Sequence, residues 1–206
     1  CQQAGVELHP DHAPTLDELN ALHPYAILDA TGGLPAVPAR IPGAQDSPLV
    51  CTPPDILTGK LQPTGEVIAV IGSGMTGLET AEILSAPEKD NAVLVVEAAP
   101  RRAPGVYGSN RNAVTAVLDH NNAVCLTSRA LTKVGTDRIS LTDPQTGEAY
   151  TYPCQRVVLA LGTTPTKPYG EALETVCSRV FSVGDAAKSG MIWDAVHGGY
   201  HAAREL

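Results

Sequence analysis

Residues 67–77 read Val67-Ile68-Ala69-Val70-Ile71-Gly72-Ser73-Gly74-Met75-Thr76-Gly77, an apolar run that ends directly in a G-x-G-x-x-G turn. A continuous run of apolar residues, without polar alternation, is the pattern of a strand covered on both faces, as in a parallel sheet. Beyond the turn, Leu78, Ala81, Ile83 and Leu84 follow a helical pattern until Pro87 closes the segment. Ala92-Val93-Leu94-Val95-Val96-Glu97 then reads as a second buried strand. Strand, glycine turn, helix and strand make a βαβ unit, whose crossover should be right-handed.

That unit has the chemistry of a dinucleotide site. A pyrophosphate is anionic, and a helix N-terminus offers free N–H groups and the positive end of a dipole. Gly72 permits the tight turn, Gly74 lets the backbone approach the phosphates, and Gly77 lets helix and strand pack closely. Ser73, Met75 and Thr76 occupy the intervening positions and count with them as cofactor-binding residues. Glu97 ends the second strand 25 residues after Gly72, against a usual spacing of about 20. The polar segment Pro87 to Asn91 can absorb the difference as a longer turn. A carboxylate at Glu97 would accept hydrogen bonds from ribose hydroxyls and repel a 2′-phosphate, which favours NAD(H). Arg101 and Arg102 argue for NADP(H), because a guanidinium pairs well with phosphate. The balance favours NAD(H).

Outward from this unit, Val6-Glu7-Leu8-His9 is a short strand candidate and Thr15 to Leu22 a brief turn or helix. Tyr25-Ala26-Ile27-Leu28-Asp29 is a β run that stops at Ala30-Thr31-Gly32-Gly33. Six prolines between residues 34 and 54 mark an extended connector and a domain boundary. On the other side, Arg111 to His120 has helical spacing. Val124–Leu126, Leu131–Val134, Ile139–Leu141 and Ala149–Tyr152 read as short strands, the last two joined by Asp143-Pro144-Gln145-Thr146-Gly147, a turn signal. Val157–Leu161 returns to a buried strand, and Val180–Asp185 leads into a helix from Ile192 to Leu206. The expected fold class is α/β, Rossmann-like: a central parallel sheet with helices, and a small antiparallel meander. A NAD(P)-binding domain covers 62–163, and 1–61 with 164–206 form parts of a second, discontinuous nucleotide-binding domain.

Composition narrows the function. The chain has 206 residues, 43% of them hydrophobic, enough for a buried core. Net charge is −8 and the 14 basic residues are scattered, which argues against a nucleic-acid surface. No apolar run reaches the roughly 18–20 residues of a membrane span, and the first residues lack a signal peptide's pattern. A soluble, cytoplasmic protein is expected. Five widely spaced cysteines without a C-x-x-C pair argue against a disulfide framework, a zinc site and a dithiol redox centre. His197 and His201 lie one helical turn apart without an apparent third ligand, so no metal is expected. Asp194 reads as a helix cap or surface residue, Trp193 and Tyr200 as core or interface contacts. No side chain is assigned as an acid, base or nucleophile. A start at Cys1, in what reads as the tail of a helix, points to a fragment.

Four signatures stand in one order: Ala30-Thr31-Gly32-Gly33-Leu34-Pro35, then Gly72-x-Gly74-x-x-Gly77-x-Glu79, then Leu159-Ala160-Leu161-Gly162-Thr163-Thr164-Pro165, then Val183-Gly184-Asp185-Ala186. This series resembles the two-dinucleotide-binding-domain flavoproteins related to disulfide reductases and NADH oxidases. The ending from Gly184-Asp185 through Gly190-Met191-Ile192-Trp193-Asp194-Ala195-Val196 to Ala202-Ala203 is similar to one branch. That branch is the C-terminal region of old-yellow-enzyme-like multidomain proteins, the NADH:flavin oxidoreductases and 2,4-dienoyl-CoA reductases. The resemblance implies that Gly72, Gly74 and Gly77 cradle the NAD(P)H pyrophosphate, Glu79 lies toward the nicotinamide and Glu97 holds the adenosine ribose. Gly162 would border the same nucleotide. Thr31 and Gly32 would pass beside FAD, Asp185 would accept from a flavin-side hydroxyl with Gly184 permitting the approach, and Met191 and Ile192 would bring a helix start near the flavin.

The family's first FAD-binding G-x-G-x-x-G unit does not precede Val6, and the iron–sulfur cysteines, flavin barrel and redox cysteine pair are not in this sequence. The expectation is a fragment of a flavoprotein oxidoreductase that binds NAD(P)H and passes hydride to a flavin, with FAD in the full-length protein. The fragment itself would bind nucleotide only. The alternative is a non-catalytic ADP- or NAD-binding structural or regulatory module. Expected partners are the nucleotide cofactors and the missing N-terminal flavin domain or domains, with neither nucleic acid nor membrane. Apolar surface left bare by the missing part would let the fragment self-associate.

Overall fold

The computed structural model describes residues 1–206, which divide into two compact units, Cys1–Leu34 with Thr164–Leu206, and Pro35–Thr163. From the N-terminus the elements are α1 (Leu16–Ala21), β1 (Ile27–Asp29), β2 (Gly33–Pro35), β3 (Val50–Cys51), α2 (Pro53–Leu57), β4 (Val67–Ile71), α3 (Met75–Leu84), β5 (Ala92–Val96) and α4 (Gly108–His120). There follow β6 (Val124–Leu126), β7 (Ala130–Val134), β8 (Arg138–Thr142), β9 (Ala149–Pro153), β10 (Arg156–Leu159), β11 (Thr163–Pro165), α5 (Leu173–Val176), β12 (Val180–Ser182) and α6 (Ile192–Arg204).

In the 35–163 unit a five-stranded parallel sheet runs in the order β3-β10-β4-β5-β6. The unbroken apolar run of β4 has its reason here. Ile68 and Val70 join one core with Leu78, Ala81 and Leu84 of α3 and Val114 and Leu118 of α4. Ala69 and Ile71 join a second core with Leu131, Ile139 and Leu141 of the antiparallel sheet β7-β8-β9. Helices cover one face and the meander covers the other, so every residue from Ile68 to Ile71 is buried. Full burial of a side chain such as Ile68 or Val70 contributes about 1.5–3 kcal/mol each. The β8–β9 turn forms where the sequence placed it, with Asp143 Oδ1 accepting from the Gln145 and Thr146 N–H groups and Gly147 at φ +76°. Glu66 and Arg156 tie β4 to β10 at its start through two hydrogen bonds of 2.8 Å.

The structure departs from the expected boundary at 61/62. Residues 35–61 group with the central unit, because Val50 and Cys51 pair in parallel with Val157 and Val158 and Ile56 enters the α3–α4 core. Proline density marked extended backbone, but here that backbone delivers an edge strand and the short helix α2. The expected strand at Val6–His9 does not form; the segment is exposed and joins no ladder. The run from Tyr25 shortens to Ile27–Asp29, and Gly33–Pro35, read as the stop after that run and the start of the connector, forms β2, which pairs with β11.

In the other unit β1 and β12 form a two-stranded parallel pair, with Asp29 opposite Ser182. α1 starts at a reciprocal cap, Thr15 accepting from Glu18 N while the Glu18 carboxylate accepts from Thr15 N, and packs against α5. α6 follows the turn after β12. Its Ile192, Trp193, Val196 and Tyr200 are exposed, with Trp193 stacked on His197 of the same helix. No helix is long and apolar enough to cross a membrane.

Candidate functional site

The glycine turn follows β4 in the 35–163 unit, and its three glycines are not equally constrained. Gly72 has φ +103°, and a Cβ there would lie 2.3 Å from the Ala160 carbonyl oxygen at the end of β10. A Cβ on Gly77 would lie 2.1 Å from the Gly72 carbonyl oxygen and 3.1 Å from the Ala160 Cβ. Gly74 differs: a Cβ there meets nothing within 4 Å, and its φ of −65° strains no residue. Steric pressure from the fold therefore explains Gly72 and Gly77 and leaves Gly74 unexplained by packing. Gly74 is also the N-cap of α3 and brings no side chain to the first-turn donors of Met75, Thr76 and Gly77. Open space, uncapped N–H groups and the positive end of a ten-residue helix together suit an anion.

Glu97 comes to this turn through the β4–β5 register, in which Ile71 lies opposite Val96 and the Gly72 N–H donates to the Val96 carbonyl at 2.8 Å. Its carboxylate is already anchored. Oε2 accepts from the Ser73 N–H at 3.0 Å and the Ser73 hydroxyl at 2.6 Å, while Oε1 accepts from the Ala99 N–H at 2.8 Å. The fully buried Ser73 Oγ in turn accepts from the Ala103 N–H at 2.9 Å. A carboxylate has about four acceptor sites, so Glu97, half-buried, retains room for a further donor. Nothing in the linear sequence singled out Ala99 or Ala103.

The two arginines separate. Arg102 pairs with Asp119 of α4 through bonds of 2.7 and 3.3 Å, and its guanidinium holds the Asp119 carboxyl below the usual carboxylate range. Arg101 is exposed and makes no ion pair. Glu79 lies on the exposed side of α3. Gly162, at φ +87°, follows β10, whose Ala160 abuts the glycine turn, and its carbonyl accepts from the Ala36 N–H at 2.9 Å.

In the other unit the remaining sequence candidates gather at the C-terminal ends of β1 and β12, the end of a parallel pair where ligands bind. The buried Asp29 accepts from the Thr31 N–H and hydroxyl at 3.1 and 2.7 Å, which fixes the turn at Thr31-Gly32. After β12, Gly184 has φ +58°, and a Cβ there would press on Ala195 at 3.3 Å. Asp185 Oδ1 accepts from the Gly190 N–H at 3.1 Å. Met191 and Ile192 open α6 and are exposed, and Asp194 caps the helix by accepting from the Met191 N–H at 2.8 Å. A cavity of about 650 Å³ between β12 and α6 is lined by Val183, Gly184, Gly190 and His201 among others.

All five cysteines are free thiols. Burial pushes Cys51, Cys125 and Cys154 up to about 11, so they stay protonated and unreactive at neutral pH. Cys1 alone is exposed. Titration of the folded chain with a thiol-reactive dye at pH 7 is expected to label one cysteine quickly and the other four only after denaturation; two fast thiols would contradict this burial.

A parallel sheet, a glycine turn at the end of its β4 strand and an acidic residue at the end of the next strand define a domain of Rossmann-like α/β fold. Residues 16–203 match the family described as pyridine nucleotide-disulphide oxidoreductase, and the chain belongs to it. The NADH oxidase of Thermoanaerobacter brockii is 29% identical over 207 residues, which cover 99% of this chain and 31% of that protein. The bilirubin reductase of Mediterraneibacter gnavus (strain CC55_001C) is 30% identical over 206 residues, covering 100% and 31%. Among solved structures, the complex of 2-naphthoyl-CoA reductase with 2-naphthoyl-CoA aligns with a TM-score of 0.80 at 25% identity, over 100% of this chain and 30% of that one. The chain thus spans about 31% of the length of the curated relatives it matches.

Proposed function

We propose that this chain is the nucleotide-binding part of a flavoprotein oxidoreductase of the old-yellow-enzyme-like multidomain branch, and that it binds NADH in preference to NADPH. The observation that carries the reading is the contrast among the glycines. Gly72 and Gly77 are demanded by the fold, whereas Gly74 is bare where a phosphate would approach uncapped helix donors. In this reading the backbone of residues 72–77 holds the pyrophosphate, Glu97 takes the ribose hydroxyls, Gly162 borders the dinucleotide and Glu79 lies toward the nicotinamide. Arg101 stands at the rim. Support for NADH comes from Glu97 and from the engagement of Arg102 by Asp119, with a relative named NADH oxidase in agreement.

The residues of the other unit fit one side of a flavin site. Thr31-Gly32 and Gly184-Asp185 sit at paired strand ends, and Met191-Ile192 begin a helix beside them. With both cofactors present, NADH supplies a hydride that the flavin accepts. The chain's own residues bind and orient, and none is assigned a proton transfer. We assign 1–34 and 164–206 to the FAD domain, whose remainder would cover the bare face of α6. An acidic chain with five unpaired thiols fits a reducing cytoplasm.

Anaerobic mixing of the full-length protein with NADH tests the proposal. Loss of the flavin's visible absorbance is expected within the turnover time. A flavin that stays oxidised while NADH binds would overturn hydride transfer and leave a module that only holds nucleotide.

A further inference from the structure

The hydroxyl of Ser73 lies at a junction that packing alone does not require. It donates to Glu97 Oε2 at 2.6 Å, a short charge-assisted bond, and accepts from the Ala103 N–H at 2.9 Å. Ala103 is itself buried and held at φ +52°, a conformation that costs a non-glycine residue energy and persists only where its surroundings enforce it. The Ala99 N–H takes the other carboxylate oxygen at 2.8 Å. One serine therefore links three segments: the glycine turn, the end of β5, and the 98–103 loop that carries Arg101. The loop is tied from its other side as well, with the Ser128 N–H donating to the Ala99 carbonyl and the Arg129 N–H to the Glu97 carbonyl, both at 2.9 Å.

We propose that Ser73 is the positioning residue that sets selectivity for a free ribose 2′-hydroxyl over a 2′-phosphate; the inference rests on the nucleotide reading above. Without the Ser73 hydroxyl, Glu97 loses its shortest hydrogen bond and keeps only the Ser73 and Ala99 N–H donors, so its carboxylate is held less firmly and its capacity to accept a ribose hydroxyl in a fixed place falls. The 98–103 loop loses the acceptor for Ala103 N–H at the same time, and the exposed Arg101 on that loop gains the latitude to meet a phosphate. Loss of the hydroxyl thus weakens NADH and spares or favours NADPH. Ser73 touches neither ligand's reacting atoms in this account and acts through Glu97 and the loop.

The test is calorimetric titration of the 206-residue chain with NADH and with NADPH, in the wild type, Ser73→Ala, Ser73→Cys, Glu97→Gln and the double variant Ser73→Ala/Glu97→Gln. Ser73→Cys keeps nearly the same shape with a weak donor, so it reports the hydroxyl even if the alanine variant is poorly folded. The expected result is that each Ser73 variant loses about tenfold in NADH affinity with NADPH changed less than about twofold. In the Glu97→Gln background Ser73→Ala should alter the NADH-to-NADPH ratio no further, because the two act as a unit. Equal losses for both nucleotides would show a merely structural serine and overturn the inference while the site reading stands. An unchanged ratio in both Ser73 variants would overturn it too. A wild-type chain that binds neither nucleotide would overturn the site reading itself, and the inference with it.

Discussion

Replacement of Gly74 by valine should leave the chain folded and lower its affinity for NADH by at least about a hundredfold, roughly 2.7 kcal/mol or more. The first half follows from the space around the residue. A Cβ at Gly74 meets nothing within 4 Å, and φ −65° with ψ 173° is ordinary extended backbone for a β-branched side chain. Stability is then expected within about 0.5 kcal/mol of wild type. The second half follows from where that space lies. The added methyl groups would stand over the uncapped first turn of α3, in the volume a pyrophosphate needs, and would hold it away from the N–H donors of residues 75–77. Chemical denaturation beside calorimetry separates the two halves. A folded Gly74→Val chain that binds NADH normally would remove the pyrophosphate from this turn.

Three residues on, the same kind of exchange should do the opposite. Gly77→Ala lies inside α3, where alanine gains about 1 kcal/mol over glycine from helix propensity. Yet its Cβ would sit 2.1 Å from the Gly72 carbonyl oxygen, a backbone atom that cannot retreat without moving the turn and β4 behind it. Steric conflict outweighs propensity here, and net destabilisation of about 3 kcal/mol is expected. For a chain of this size that corresponds to a fall of roughly 6–12 °C in Tm. A variant as stable as the wild type would mean that α3 and the turn are not packed this closely. The pair of results, one a binding loss without unfolding and the other an unfolding, distinguishes a glycine kept for a ligand from one kept for the fold.

How much of this was legible in the sequence differs from element to element. β4 was legible because two covered faces leave no polar alternation, and the cores on either side of it supply the reason. The meander was legible through Asp143 and Gly147, whose turn chemistry is local. β3 was not. Its two residues, Val50 and Cys51, owe their strand geometry to pairing with Val157 and Val158, and no local pattern among the prolines announces a partner so far along the chain. Val6 and Leu8 show the converse error: they alternate correctly, but no ladder receives them.

In the site, Gly72 and Gly77 could be read because the turn and the helix packing that need them belong to the backbone. The Ser73–Glu97–Ala103 junction could not, because it depends on the β4–β5 register and on the path of a loop. Arg101 and Arg102 looked equivalent in sequence. They separate only because α4 presents Asp119 to one of them.

Titration of the isolated chain with NADH and NADPH in parallel, repeated with Glu97→Arg, reaches the central claim most directly. Saturable binding with NADH the tighter ligand is expected, with a reversed preference in the variant, where a guanidinium replaces the carboxylate that would repel a 2′-phosphate. Tighter binding of NADPH by the wild type, or no binding of either, would contradict it.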